Sequence, residues 1–102
     1  MMTGTPNQIE WAEQIKPRVD GEFARVAKAF AGTAERQTEA ARRDTLEVIA
    51  ILQLKRAETM AREEAGYFIK EWQELGDQVR QMIFHDPAYT AIRERREARK
   101  ST

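Results

Sequence analysis

The chain has 102 residues, 41% hydrophobic and 33% charged, with 17 basic and 17 acidic side chains and no cysteine. That length holds one domain at most, and the mix is globular rather than disordered. A zero net charge speaks against the basic excess of a nucleic-acid binder and against an acidic DNA mimic. The lack of cysteine rules out disulfides, thiol catalysis and thiolate metal sites.

The N-terminal stretch 1–8 carries no basic and apolar run of the kind that opens a signal peptide. The most apolar segment, Leu46 to Leu54, is far short of the roughly 20 residues a membrane span needs. The expectation is therefore a cytoplasmic protein. The first helix has a clear start: Thr5 is placed to cap, Pro6 suits the first helical position and Gln8 completes a Thr-x-x-Gln capping box. Ile9, Ala12, Ile15, Val19, Phe23, Val26 and Phe30 then recur at steps of three or four and share a sector of about 120° at 100° per residue. The stripe keeps its phase across Pro17, which predicts one kinked helix or two collinear ones over 6–31. Gly32 reads as its stop and Thr33 as the next cap.

A second run starts near Ala34. Ala50, Leu54, Ala57, Ala61, Ala65, Phe68, Trp72, Leu75, Val79 and Met82 again step by three or four, and Leu46, Ile49 and Met60 add a second face. Read as one rod to Phe84 it would be roughly 75 Å long, too long for a compact chain of this size. It must break near Gly66 or Gly76 and fold back, or lie against another chain. His85-Asp86-Pro87 ends it, with Asp86 capping a last short helix over 87–99. The pattern predicts an all-α fold: a long antiparallel helical hairpin (6–31 and 34–60), with 61–84 and 87–99 completing a bundle or coiled-coil-like assembly. It is a single domain over 1–102, with 1–5 and 100–102 as flexible ends. The first helix can cover only half of the second run. Phe68, Trp72, Leu75, Val79 and Met82 are therefore expected at a homodimer interface.

Chemistry is sparse. His85 is the sole histidine and Ser101 the sole serine, so neither a His-based metal site nor a Ser–His nucleophile is in reach. No cofactor is implied. Arg93, Arg95, Arg96, Arg99 and Lys100 cluster at the C-terminus, but Glu94 and Glu97 interrupt them, so nucleic-acid binding is expected to be weak at most. Trp11 lies to the side of the first stripe and Tyr67 beside Phe68. With Arg95, Arg96 and Arg99 they form the candidate partner-binding set, since Trp, Tyr and Arg dominate binding hot spots. The segment Leu46 to Leu54 is apolar nearly all round its helix and must lie between several helices or in an interface.

Two stretches carry resemblances. Residues 73–85, QELGDQVRQMIFH, resemble a segment of the all-α MazG-like nucleotide pyrophosphohydrolases, in which a Glu-Leu-Gly-Asp run supplies metal-binding acids. The resemblance implies Glu74 and Asp77 as ligands of a Mg²⁺ ion. The family's Glu-Glu-x-x-Glu partner motif is incomplete here, since Glu63-Glu64-Ala65-Gly66-Tyr67 lacks the third acid. Residues 5–15, TPNQIEWAEQI, are similar to the opening of small helical proteins of phages and bacterial mobile elements, through Gln8, Ile9, Trp11, Ala12 and Ile15. Tyr67-Phe68-Ile69 loosely matches a later Trp-Trp-Ile of theirs, and Pro17 departs from their pattern. That likeness brings no catalytic motif. It implies a non-enzymatic protein working through protein contact, such as an anti-CRISPR or other anti-defence inhibitor or accessory factor. A Mg²⁺-dependent nucleotide hydrolase and a nucleic-acid-associated helical protein are the alternatives.

Overall fold

The computed structural model describes residues 2–73 and 75–100, apart from the side chains of Leu75 and Gly76. Its helices are α1 Pro6–Glu35, α2 Glu39–Met60, α3 Ala65–Glu71, α4 Leu75–Phe84 and α5 Pro87–Lys100. The radius of gyration is 16.1 Å and the extents are 57 × 23 × 21 Å, more elongated than the ~13 Å of a rounded 100-residue domain. The 30-residue α1, about 45 Å long at 1.5 Å per residue, sets that length.

α1 starts as its sequence dictates. The Thr5 hydroxyl accepts from the Gln8 backbone N–H at 3.2 Å, and Gln8 Oε1 accepts from the Thr5 N–H at 3.0 Å. The helix then continues through Pro17. Proline removes the hydrogen bond to the carbonyl four residues back and crowds it. Here both Pro17 and Glu13 are exposed, so water can reach the orphaned carbonyl. Ala12, Val19, Phe23, Val26 and Ala27 line the buried side. The end differs from expectation. Gly32 does not stop the helix, because it keeps a negative φ, and Thr33 is no cap, because its hydroxyl donates back to the Ala29 carbonyl at 3.2 Å. The helix runs on to Glu35, and the chain reverses over Arg36–Thr38. Arg42 Nε donates to the Ala34 carbonyl at 2.9 Å, satisfying a carbonyl that the helix end leaves open.

α2 runs back along α1, bringing Arg56 to Asp20 at 2.6 Å. It turns Val48 and Leu52 inward, with the buried polar residues Asp44, Thr45 and Thr59. The Ala50, Leu54, Ala57 and Ala61 stripe instead faces solvent, and so does Leu46. The unbroken phase from that stripe into Phe68 and Trp72 therefore does not mark one buried face. The run breaks over 61–64 and again after Glu71, near Gly66 and Gly76 as expected, although both glycines themselves lie inside the helices that follow the breaks.

The first break is held from a distance. The Thr3 N–H donates to the Glu63 carbonyl at 2.6 Å, and the Ala65 N–H donates to the Thr3 carbonyl at 2.8 Å, a single parallel bridge. The stretch 2–5, expected to be loose, is thus tied down, and Met2 packs against the core. Gly4 makes the bend, with φ +145°; a Cβ there would sit 3.1 Å from both Ala65 Cβ and Gln8 Oε1.

The fold-back resolves the covering problem within one chain. Phe68 and Val79 are fully buried and Trp72 is 2% exposed. All three join Phe23 in the core, with the Phe23 and Trp72 rings 5.6 Å apart. These three cannot form a dimer interface as expected, because α1 and its neighbours already cover them. Met82 is half-buried against the same core, and the Leu75 side chain lies outside the described residues. Among the described residues the buried Trp72 indole N–H has no hydrogen-bond partner, a cost of about 1–3 kcal/mol that its apolar contacts offset.

Two substitutions on α1 test this account. Phe23→Ala should destabilise by about 3–5 kcal/mol, lowering Tm by roughly 15 °C or more in a chain of this size. Gly21 is exposed and helical, with nothing within 4 Å of an added Cβ. Gly21→Ala should raise stability by about 0.4–1 kcal/mol, measured by thermal or urea unfolding.

Candidate functional site

The densest polar constellation is one that composition did not reveal. Asp44, on α2, is 1% exposed. Its carboxylate accepts hydrogen bonds from Arg95 and Arg99 on α5, and Arg96 stands 4.0 Å away. Arg95 also reaches Glu47 at 2.9 Å. Burial pushes the Asp44 carboxyl up, but the arginine hydrogen bonds outweigh it and hold the group below its ordinary value. At the other end of α5, Asp86 caps the helix, accepting from the Ala88 N–H at 2.8 Å, and pairs with Lys55 at 2.7 Å. The Lys55 ammonium lowers the Asp86 pKa. α5 buries Ile92, so ion pairs at both ends supply much of its attachment to α2. The signal the sequence held was one of phase: Asp44 lies one helical turn before Val48 and two before Leu52, a carboxylate on one of the two apolar faces of α2.

This arrangement redefines the C-terminal basic cluster. Arg95, Arg96 and Arg99 were expected to offer charge to a partner. Arg95 and Arg99 instead spend hydrogen bonds on a carboxylate of their own chain, with Arg96 beside them. Tyr67 is likewise absorbed: it is half-buried, edge-on to Phe68 at 5.1 Å, with the Arg62 guanidinium 4.0 Å over its ring.

Trp11 is different. It is 57% exposed, while Ile9, Ala12 and Ile15 around it pack into or against the core. Farther along the same side of α1, at the azimuth of Ala29, opens a groove between α1 and α4 of about 350 Å³. Val26, Ala29, Phe30 and Phe84 give it an apolar floor, and Arg25, Arg80, Asp77 and Thr33 its polar edge. Phe84 is 49% exposed and leans on Tyr89 at 5.6 Å. Arg25 is engaged by Glu22, whose carboxyl is held low by that guanidinium, with Arg80 adding to the effect.

Of the two acids named as Mg²⁺ ligands, Asp77 sits on the edge of this groove and accepts from Gln81 Nε2 at 3.4 Å. Glu74 lies outside the described residues. Among the described residues, no group of three or more His, Asp or Glu side chains is placed to hold a metal ion. His85 Nε2 lies 3.2 Å from Gln81 Oε1, just past the end of α4. No described helix is long and apolar enough to cross a membrane. Compared with known proteins, the chain matches no family model, no curated protein and no solved structure.

The Asp44 cluster makes stability depend on pH. Asp44 and Asp86 have pKa values lowered by folding. Their contribution is present in full above the unfolded carboxylate value of about 3.9 and is lost as pH falls through the folded values. Asp44→Asn should lower stability at pH 7 by about 1–2 kcal/mol, a range kept small because the arginine ends are half exposed. It should also flatten the acid limb of the stability curve. Amide exchange should show α5 losing protection before α1 as the pH is lowered.

Proposed function

We propose that the protein acts without catalysis, by contact with another protein, and that it is a phage-type inhibitor or accessory factor of the anti-defence kind. One observation carries this reading: within the segment 5–15, every residue of the Thr-x-x-Gln-Ile-x-Trp-Ala-x-x-Ile pattern except Trp11 has a job in the fold. Thr5 and Gln8 close the capping box, and Ile9, Ala12 and Ile15 join or pack on the core. Trp11 is more than half exposed. An indole left in water forfeits the burial energy that makes tryptophan a favoured hot-spot residue, so folding alone gives no reason for its presence.

The α1–α4 groove extends the surface. Trp11 and Ala29 share an azimuth on α1 and lie about 27 Å apart, so a partner segment laid along this side would meet an aromatic at each end. Arg18, Glu22 and Arg25 lie between them on the same side.

The test is a pull-down from bacterial and phage-infected lysates with wild type, Trp11→Ala and Phe84→Ala as parallel baits. Both side chains are exposed, so the variants should melt within a few degrees of wild type. A protein retained by wild type and weakened roughly 30-fold by Trp11→Ala is the expected result. A partner held equally by all three baits would overturn the assignment of this surface. Release of pyrophosphate from nucleotides with Mg²⁺, abolished by Asp77→Ala, would overturn the non-enzymatic reading.

A further inference from the structure

The opposite side of the molecule presents a second unpartnered surface. Leu46, Ala50, Leu54 and Ala57 lie within about 80° of one another on α2 at 100° per residue, on the far side from Val48 and Leu52. Leu46 is 52% and Leu54 62% exposed, and both alanines are exposed. The result is a ridge of alternating large and small apolar side chains. A shallow groove flanks each edge. One, of about 340 Å³, lies toward α5 and includes Glu47, Ala50, Ala88 and Ala91. The other, of about 310 Å³, lies toward the end of α1 and includes Ala31, Ala34 and Leu46.

We infer that this ridge pairs with the same ridge of a second copy, antiparallel, with Ala50 on the two-fold axis. The sequence of the ridge is self-complementary about that residue. Four residues before Ala50 stands Leu46 and four after it Leu54, so each leucine meets the other type across the axis, and small Ala50 lets the two helices approach closely at the centre. The charges select the direction. Arg43 lies near the start of the ridge, exposed and bound only loosely to Glu39 at 3.6 Å; Glu58 lies near its end. Antiparallel pairing sets Arg43 beside Glu58 of the second copy, on the same edge, twice by symmetry. Parallel pairing would set Arg43 against Arg43 and align the helix dipoles unfavourably. A patch of one helix is smaller than the ~800 Å² per partner of a standard interface, so the association is weak and reversible. This surface is independent of the Trp11 side and of the residues buried around Trp72.

Because the natural chain has no cysteine, single cysteines can report the register. Under mild oxidation Ala50→Cys should form a disulfide-linked dimer rapidly, since its two copies meet on the axis within bonding reach. Leu46→Cys or Leu54→Cys alone should link slowly, because each is then about 12 Å from its own copy. A mixture of the two should link to each other. Sedimentation equilibrium up to about 1 mM should show a reversible dimer. Leu54→Glu should abolish it with an unchanged melting curve. Arg43→Glu should weaken it about tenfold, and Arg43→Glu combined with Glu58→Arg should restore it. A wild-type chain that stays monomeric throughout that range overturns the inference. So does equal cross-linking at positions 46, 50 and 54, the signature of a parallel pair.

Discussion

Everything in this fold depends on α1 remaining one rod across Pro17. The core is a single line of contacts laid along it: Ala12 and Val19 near its start, Phe23 against Trp72, then Val26 and Ala27. α2, α3 and α4 all pack on this one helix. If the chain turned at Pro17, Ala12 and Phe23 could not address the same neighbours, and α3 would have no surface to lie on. The proline is tolerated because it falls on the solvent side. A long helix there curves convex toward water and its carbonyls tilt outward, so a missing hydrogen bond costs least.

A second constraint divides the molecule by type of force. The α1–α3–α4 part is held by large apolar side chains. The α2–α5 contact is held by ions at two points, Asp44 with its arginines and Asp86 with Lys55. A buried carboxylate is costly to desolvate, and removing its partners is costlier than never having buried it. Such an arrangement fixes position better than it adds stability. It tells α5 where along α2 to lie, which Ile92 alone could not do. With α5 so fixed, one wall of the groove beside Ala50 is fixed as well.

The sequence showed what is local. The Thr5–Gln8 box, the α1 stripe and the Asp86-Pro87 start of α5 are set by neighbours within a turn of one another, and each is found in the structure. The errors came from distance. Gly32 looked like a helix stop because glycine often is one, but nothing required a positive φ there, and the reversal came after Glu35. The break over 61–64 has neither proline nor glycine; it is made by Thr3, some 60 positions earlier, pairing with Glu63 and Ala65. α2 has apolar residues on opposite faces, so periodicity could not say which one α1 would take, and the face that continued in phase to Phe68 was the wrong one. The exposure of Trp11 was legible, since Trp11 lay off the stripe. The Asp44 cluster was not, since its arginines are about 50 positions away.

The two tryptophans end in opposite surroundings. Trp72 is enclosed, 2% exposed, while Trp11 is 57% exposed to water. An indole's emission shifts toward the blue as its surroundings become less polar and less able to relax around the excited state. The chain thus carries two optical reporters of different colour. The bluer one, beside Phe23, follows the integrity of the core. The redder one, Trp11, follows the surroundings of the outer side of α1.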